Sequence, residues 1–172
     1  MSAGGAAGVD DLVAMYRQAL PQVYGFLLSR CGSVVVAEDL TADTFMAAVD
    51  ALERKTAPPL TVGWLIGVAR HKLVDHWRRT EREQRSLAVA TTAGAEVDDP
   101  WPTVLDVDAV HAVLARLSGP HRAALILRYF DGLSVAEVAD YVGRSVHATE
   151  TLLARARGAL RRLYREEYGD DG

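Results

Sequence analysis

Residues Asp131–Arg162 read DGLSVAEVADYVGRSVHATETLLARARGALRR. Within them Ser134-Val135-Ala136-Glu137 has Ser-x-x-Glu spacing. At a helix start this pattern lets the serine hydroxyl and the glutamate carboxylate each take an amide that has no helical partner. Gly143 supplies the left-handed residue that closes a short helix, since it carries no Cβ to clash there. Ser145 then stands where a second helix needs its cap. In that second helix Thr149, Leu152, Leu153, Ala156, Leu160 and Leu163 recur on one face. Two helices around a tight turn predict a helix-turn-helix. The second helix of such a pair can lie in the DNA major groove with its first residues at base edges.

Working outward, three further helices can be read upstream. Leu12, Tyr16, Ala19, Leu20, Val23 and Leu27 predict a helix from about Asp10 to Arg30, with Pro21 inside it to kink or split it. A second helix is expected from about Val36 to Leu52, burying Leu40, Thr44, Ala48 and Leu52 and presenting Asp39, Asp43 and Asp50. Pro58-Pro59 forces a break before a third helix, about Thr61 to Arg85. Trp64, Leu65, Val68, Ala69, Lys72, Leu73 and Trp77 stand at its interior-like positions. From Ser86 the periodicity dissolves into SLAVATTAGAEVDDPWP, a stretch that reads as a linker. No sustained period-two run and no Asn-Gly turn appears. The expectation is an all-α chain of two small helical domains joined by a flexible acidic linker. Residues 1–9 are expected to be disordered, 10–85 and 105–168 to be the domains, 86–104 the linker, and 169–172 an acidic tail. Glu166 and Glu167 continue into that tail with Asp170 and Asp171.

The chain has 172 residues, of which 49% are hydrophobic, enough for one or two small cores. It contains no apolar run near the length a membrane helix needs. SAGGAAGVDD lacks the basic and apolar segments of a secretory signal. A single cysteine, Cys31, excludes an internal disulfide. These features point to a cytoplasmic protein without membrane insertion.

The net charge of −4 hides a strong segregation. Residues 61–85 hold six Lys/Arg against three acids, for +3, and residues 144–165 hold six Arg against Glu150, for +5. Residues 86–110 between them hold five acids and no Lys/Arg, for −5. Local patches of this kind, rather than the total, decide contact with phosphates.

Two ordered blocks resemble the extracytoplasmic function (ECF) sigma factors. The first is Ala37–Phe45 (AEDLTADTF) followed by Trp64–Arg79 (WLIGVARHKLVDHWRR), which is similar to the promoter-melting domain of that family. The second is Leu117–Arg122 (LSGPHR), Leu127–Ser134 (LRYFDGLS) and the helix-turn-helix, similar to its second domain. The resemblance covers about residues 10–85 and 105–165. It implies a protein that is not an enzyme but binds bacterial RNA polymerase core, reads promoter DNA at the −10 and −35 elements and helps open the duplex. An anti-sigma factor is the regulator such proteins usually have.

Carried onto these residues, the resemblance assigns polymerase binding to Glu38, Asp39, Asp43, Phe45 and Met46. It assigns the −10 element to Arg70, His71, Lys72, Asp75, Arg78 and Arg79, with His71 and Asp75 as specificity contacts. Trp77 and His76 would offer rings for separated bases, because single strands are held by cations and aromatic platforms. The −35 element falls to Val146, His147, Glu150, Thr151, Ala154, Arg155, Arg157 and Arg161, the early residues on bases and the arginines on phosphates. The chain departs from the family at Ala42, where glutamine is common, at His71, where asparagine is frequent, and at Glu150 and Leu152, where lysine and arginine are frequent. Either it reads an unusual −35 sequence, or this helix binds DNA weakly and leans on the polymerase.

Cys31 and the histidines 71, 76, 111, 121 and 147 never reach zinc-ligand spacing as a set. No glycine-rich phosphate loop or nucleophile elbow occurs. No metal, cofactor or catalytic residue is expected. Two other readings stay open on the residues. A stand-alone helix-turn-helix regulator would explain 131–162 but leave the first domain without a task. A helical protein-interaction module would suit the acidic total but not the basic third helix.

Overall fold

The computed structural model describes residues 4–54, 58–86 and 107–169, with 4–12 and Val107 described by backbone alone. The described residues hold seven α-helices, one π-helical turn and no strand. The helices are α1 (Gly4–Cys31), α2 (Val34–Glu53), α3 (Val62–Arg85), α4 (Val107–Arg116), α5 (Gly119–Leu125), α6 (Val135–Val142) and α7 (Val146–Tyr168). The π-helical turn, Ile126–Phe130, continues α5. Of the linker expected over 86–104, all but Ser86 lies outside the described residues, as do residues 1–3 and 170–172.

The chain divides into two compact units, one up to Leu73 and one from Val74, so the boundary falls inside α3. In the first unit α1 and α2 pack as a helical hairpin. Gly32, at φ 65°, turns the chain between them. Ser33 caps α2, its Oγ accepting from the Val36 amide at 3.4 Å. Ala19, Val23 and Leu27 of α1 and Ala37, Leu40 and Ala48 of α2 are buried. Thr41 and Thr44 are buried with them, because each hydroxyl donates to a carbonyl one turn back, Ala37 O at 2.6 Å and Leu40 O at 2.7 Å. Leu52 is only half-buried.

Two expectations for α1 need correcting. It begins at Gly4 rather than near Asp10, and Pro21 does not split it. Ala6 and Ala7 favour helix intrinsically. The buried stripe Ala19–Val23–Leu27 brackets Pro21, so packing holds the helix together across the missing amide.

Thr61 starts α3, its Oγ1 accepting from the Trp64 amide at 3.1 Å. Leu65, Ala69 and Leu73 form the buried stripe of its first half. Arg70 lies 5.4 Å from the Phe26 ring centroid, which sets this half of α3 beside α1. Val74 and Trp77 are buried as well, and they belong to the second unit. There Gly119 at the start of α5 approaches the backbone of Trp77 so closely that a methyl group on it would lie 2.9 Å from the Trp77 carbonyl carbon.

The second unit is built around α7, against which α4, α5 and α6 pack. Arg122 of α5 donates to the carbonyls of Leu114 (2.8 Å), Ala115 and Leu117 (3.2 Å), so one guanidinium satisfies the open end of α4. The π-helical turn closes with the Asp131 amide on Ile126 O at 3.0 Å and the Leu133 amide on Leu127 O at 3.1 Å. Arg128 donates to Leu133 O at 2.9 Å and steadies the exit. Glu166 and Glu167 are the last turn of α7 rather than tail. Arg116 of α4 pairs with them at 3.6 and 3.0 Å and offsets the cost of acids at a helix C-terminus.

Candidate functional site

The helix-turn-helix assembles as its residues dictate. The Ser134 amide donates to Glu137 Oε2 at 2.8 Å, and the Glu137 amide donates to Ser134 Oγ at 3.2 Å, the two halves of the capping box. Gly143 ends α6 at φ 66°, in the left-handed region. Ser145 caps α7, its Oγ accepting from the Ala148 amide at 3.2 Å. Thr149, Leu152, Leu153, Ala156 and Leu160 are buried, while Leu163 is half-buried.

That burial rotates α7 so that Val146, His147, Glu150, Thr151, Ala154 and Arg155 are all exposed. His147 Nδ1 lies 3.8 Å from Glu150 Oε2, an imidazole and a carboxylate side by side at the start of the helix. Leu152, where the resemblance points to arginine, is 6% exposed and faces the core, so its departure does not alter the exposed face. Arg157 and Arg161 are half-buried on the flank. Arg157 donates to the Tyr129 hydroxyl at 3.1 Å, so the π-helical turn positions it. Sequence reasoning missed this pairing, which joins residues 28 apart.

On α3, His71, Asp75 and Arg79 are exposed, while Arg70, Lys72 and Arg78 are half-buried. His71, Asp75, Arg78 and Arg82 follow one another at helical spacing on one side. Arg70 is directed towards Phe26 and stands apart from them. Trp77 is 2% exposed, so it is a core side chain and not a platform for separated bases. Trp64, read as a core residue, is half-buried. Asp75, Arg78 and Arg82 line a concavity of about 430 Å³ with Val142, Gly143 and Arg144. The Arg78 Nη2 sits 3.1 Å from where a Cβ on Gly143 would stand, a contact the flexible arginine tip can relieve, so it is the positive φ that calls for glycine here.

On α2, Glu38, Asp39 and Asp43 are exposed and Met46 is 66% exposed. Phe45 is half-buried, packed edge-on against Tyr16 of α1 at 4.7 Å. Tyr16, Leu20, Ala42 and Phe45 line one apolar groove, and Val13, Met46 and Val49 continue the surface. The contribution of α1 to this face was not legible, since only packing reveals which of its turns lies beside Ala42.

The proton affinity of His121 on α5 is lowered from its ordinary pKa of 6.5, first by burial and then by Arg144, Arg155, Arg162 and Arg85. Below pH 6.5 the unfolded chain therefore binds a proton that the folded chain resists, and stability falls as pH drops. Above that range both states are neutral and the effect vanishes. The thermal midpoint should be lower at pH 5.5 than at 7.5, and His121→Gln should shrink the difference. An undiminished difference would assign it to other groups. Among the described residues no group of His, Cys, Asp and Glu could hold a metal, and no helix is long and apolar enough to cross a membrane.

Residues 15–83 match the model of sigma-70 region 2 and residues 108–160 that of sigma-70 region 4. The ECF RNA polymerase sigma factor SigC of Mycobacterium tuberculosis is 34% identical over 157 residues, 87% of this chain and 80% of SigC. ECF RNA polymerase sigma factor BldN of Streptomyces coelicolor is 31% identical over 92% of this chain, which spans 62% of the length of BldN. The sigma factor RpoE of Bartonella quintana, solved in complex with the anti-sigma factor NepR, has the same fold at a TM-score of 0.55 and 24% identity, over 90% of this chain and 97% of RpoE. With both regions present in order on an all-α chain, and with relatives matched across both, the protein belongs to the sigma-70 family, among its ECF sigma factors.

Proposed function

We infer that this chain binds bacterial core RNA polymerase and directs it to promoters by reading −10 and −35 elements. The observation that carries this is the exposed N-terminal face of α7, followed by arginines, in a chain whose other half matches region 2. A stand-alone operator-binding regulator would leave residues 15–83 unused. The chain itself performs no catalysis in this reading and works in the cytoplasm with polymerase. An anti-sigma factor is its expected restraint, as NepR is the partner of the Bartonella quintana RpoE structure.

The exposed carboxylates Glu38, Asp39 and Asp43, with Phe45 and Met46 beside them, form the polymerase-binding face. His71 and Asp75 face the −10 element, with Arg70, Lys72, Arg78 and Arg79 as its cations. Unstacking a base costs a few kcal/mol, which interactions with the separated strand must offset. Val146, His147, Glu150, Thr151 and Ala154 read the −35 element, and Arg155, Arg157 and Arg161 hold its phosphates. Glu150 can accept from cytosine N4, a hydrogen bond lysine cannot make.

The test is reconstitution with core polymerase. Stoichiometric binding to core, and a single asymmetric start site that needs core, would support the reading. Symmetric half-site footprints without core would support the operator-binding alternative. A second result separates phosphate binding from base reading. Arg157→Ala with Arg161→Ala should weaken binding similarly on all promoters and lower the salt slope by about one unit for each phosphate no longer neutralised. Changing Glu150 should instead alter which −35 sequence is preferred.

A further inference from the structure

A second basic feature lies beside the DNA-reading face and is not explained by it. Arg85 at the end of α3, His121 on α5, Arg144 in the helix-turn-helix turn, and Arg155 and Arg162 on α7 line a cavity of about 670 Å³. No carboxylate is among its lining residues. Arg85 pairs with Glu81 of its own helix at 2.8 Å, but Arg144, Arg155 and Arg162 make no ion pair with an acid among the described residues. Four guanidiniums around one space repel one another, and water screens them only in part. His121 registers the same field, since all four arginines disfavour its protonation.

Only Thr151 and Arg155 belong both to this cavity and to the −35 face. Val146, His147, Glu150 and Ala154 do not line it. Its floor is Ala148, Leu152 and Ala159, small or apolar side chains that leave the guanidiniums as its main polar groups. The volume falls in the range of small-molecule sites, roughly 300–1,000 Å³. Arginine forks match phosphate oxygens bidentately, and several forks converging favour a ligand with several adjacent negative charges.

We propose that this cavity is a binding site for a small polyphosphate-bearing ligand, held by Arg85, Arg144, Arg155 and Arg162 with His121 at its edge. The bound anion offsets the repulsion among the arginines and draws Arg155 away from DNA. That last consequence rests on the −35 assignment, whereas binding itself does not.

The test uses the full chain without polymerase or promoter, so its outcome is independent of sigma activity. Inorganic tripolyphosphate, titrated at constant ionic strength near physiological, should bind saturably with one site per chain. Arg85→Gln with Arg144→Gln should weaken binding by about 100-fold, roughly ten-fold for each guanidinium whose charge-assisted hydrogen bonds are removed. Both side chains are exposed, so the fold should be kept, which circular dichroism would verify. The His121 ring signals should also shift to a higher titration midpoint when tripolyphosphate is bound, and remain unshifted in the double variant. Three results overturn the proposal: no saturable binding beyond that of sulfate at equal ionic strength, equal binding by the double variant, or tighter binding of an acidic peptide than of tripolyphosphate, which would favour a protein ligand.

Discussion

Gly119→Ala should destabilise the second compact unit by about 3 kcal/mol, at the upper end of what an inserted methyl usually costs. The new Cβ would overlap the Trp77 carbonyl oxygen, stand 2.9 Å from its carbon and 3.4 Å from Glu81 Cβ. A side chain in the way can rotate, but the backbone of α3 cannot. Pro120 follows directly, and its ring fixes the backbone at the first turn of α5, so that end cannot swing aside. The strain must then separate α5 from α3 and expose Trp77, which is now almost fully buried. Thermal unfolding should fall by about 12 °C or more, taking about 4 °C per kcal/mol at the large end of the 60–100-residue range. Gly158→Ala is the comparison. A methyl there meets only Arg162 Nη1 at 3.7 Å, and the change should stabilise α7 by about 0.5–1 kcal/mol. If Gly119→Ala unfolds at the wild-type temperature, α3 and α5 do not approach this closely in solution.

Reversing Asp39 and Asp43 to lysine should reduce affinity for core polymerase by about 100-fold or more, since placing like charge against like charge costs several kcal/mol across an interface. Both carboxylates are exposed on α2, so the substitutions leave the buried stripe of Ala37, Leu40, Thr44 and Ala48 intact. Asp39→Asn with Asp43→Asn should lose less and should flatten the salt dependence of association, because it removes attraction without adding repulsion. Equilibrium binding to core at two ionic strengths would check both. Unchanged affinity in the lysine variant would move the polymerase-binding surface off these carboxylates, towards the apolar groove lined by Tyr16, Leu20 and Ala42.

Much of the second unit was legible because its signals are local. The capping box, Gly143 and Ser145 each act within three residues, so spacing alone reports the hydrogen bonds they make. Once Thr149, Leu153 and Ala156 are known to point inwards, helical geometry turns Val146, His147, Glu150 and Ala154 outwards. The same rule placed Asp39 and Asp43 on the open side of α2. Leu152 shows the limit of analogy. A position read as a missing arginine is a core leucine, and the helix period already placed it there.

The sequence by itself determined the all-helical class, the caps of α6 and α7, the outward faces of α2 and α7, and the two basic segments with the acids between them. These follow from periodicity, turn chemistry and counted charge, none of which needs a distant partner. Only the tertiary structure decided what depends on elements far apart in the chain. Trp77 carries a pattern equally suited to a core or to a stacking platform, and it is buried because Gly119, lacking a side chain, lets α5 approach its backbone. Pro21 stays inside one helix because buried residues on both sides of it offset the missing hydrogen bond. Arg157 is set by Tyr129, and the end of α4 is satisfied by Arg122. Likewise Arg85, His121, Arg144, Arg155 and Arg162 become one cavity only when α3, α5 and α7 fold together. Burial and long-range packing are properties of the folded chain, and a one-dimensional pattern states only which residues are able to take part.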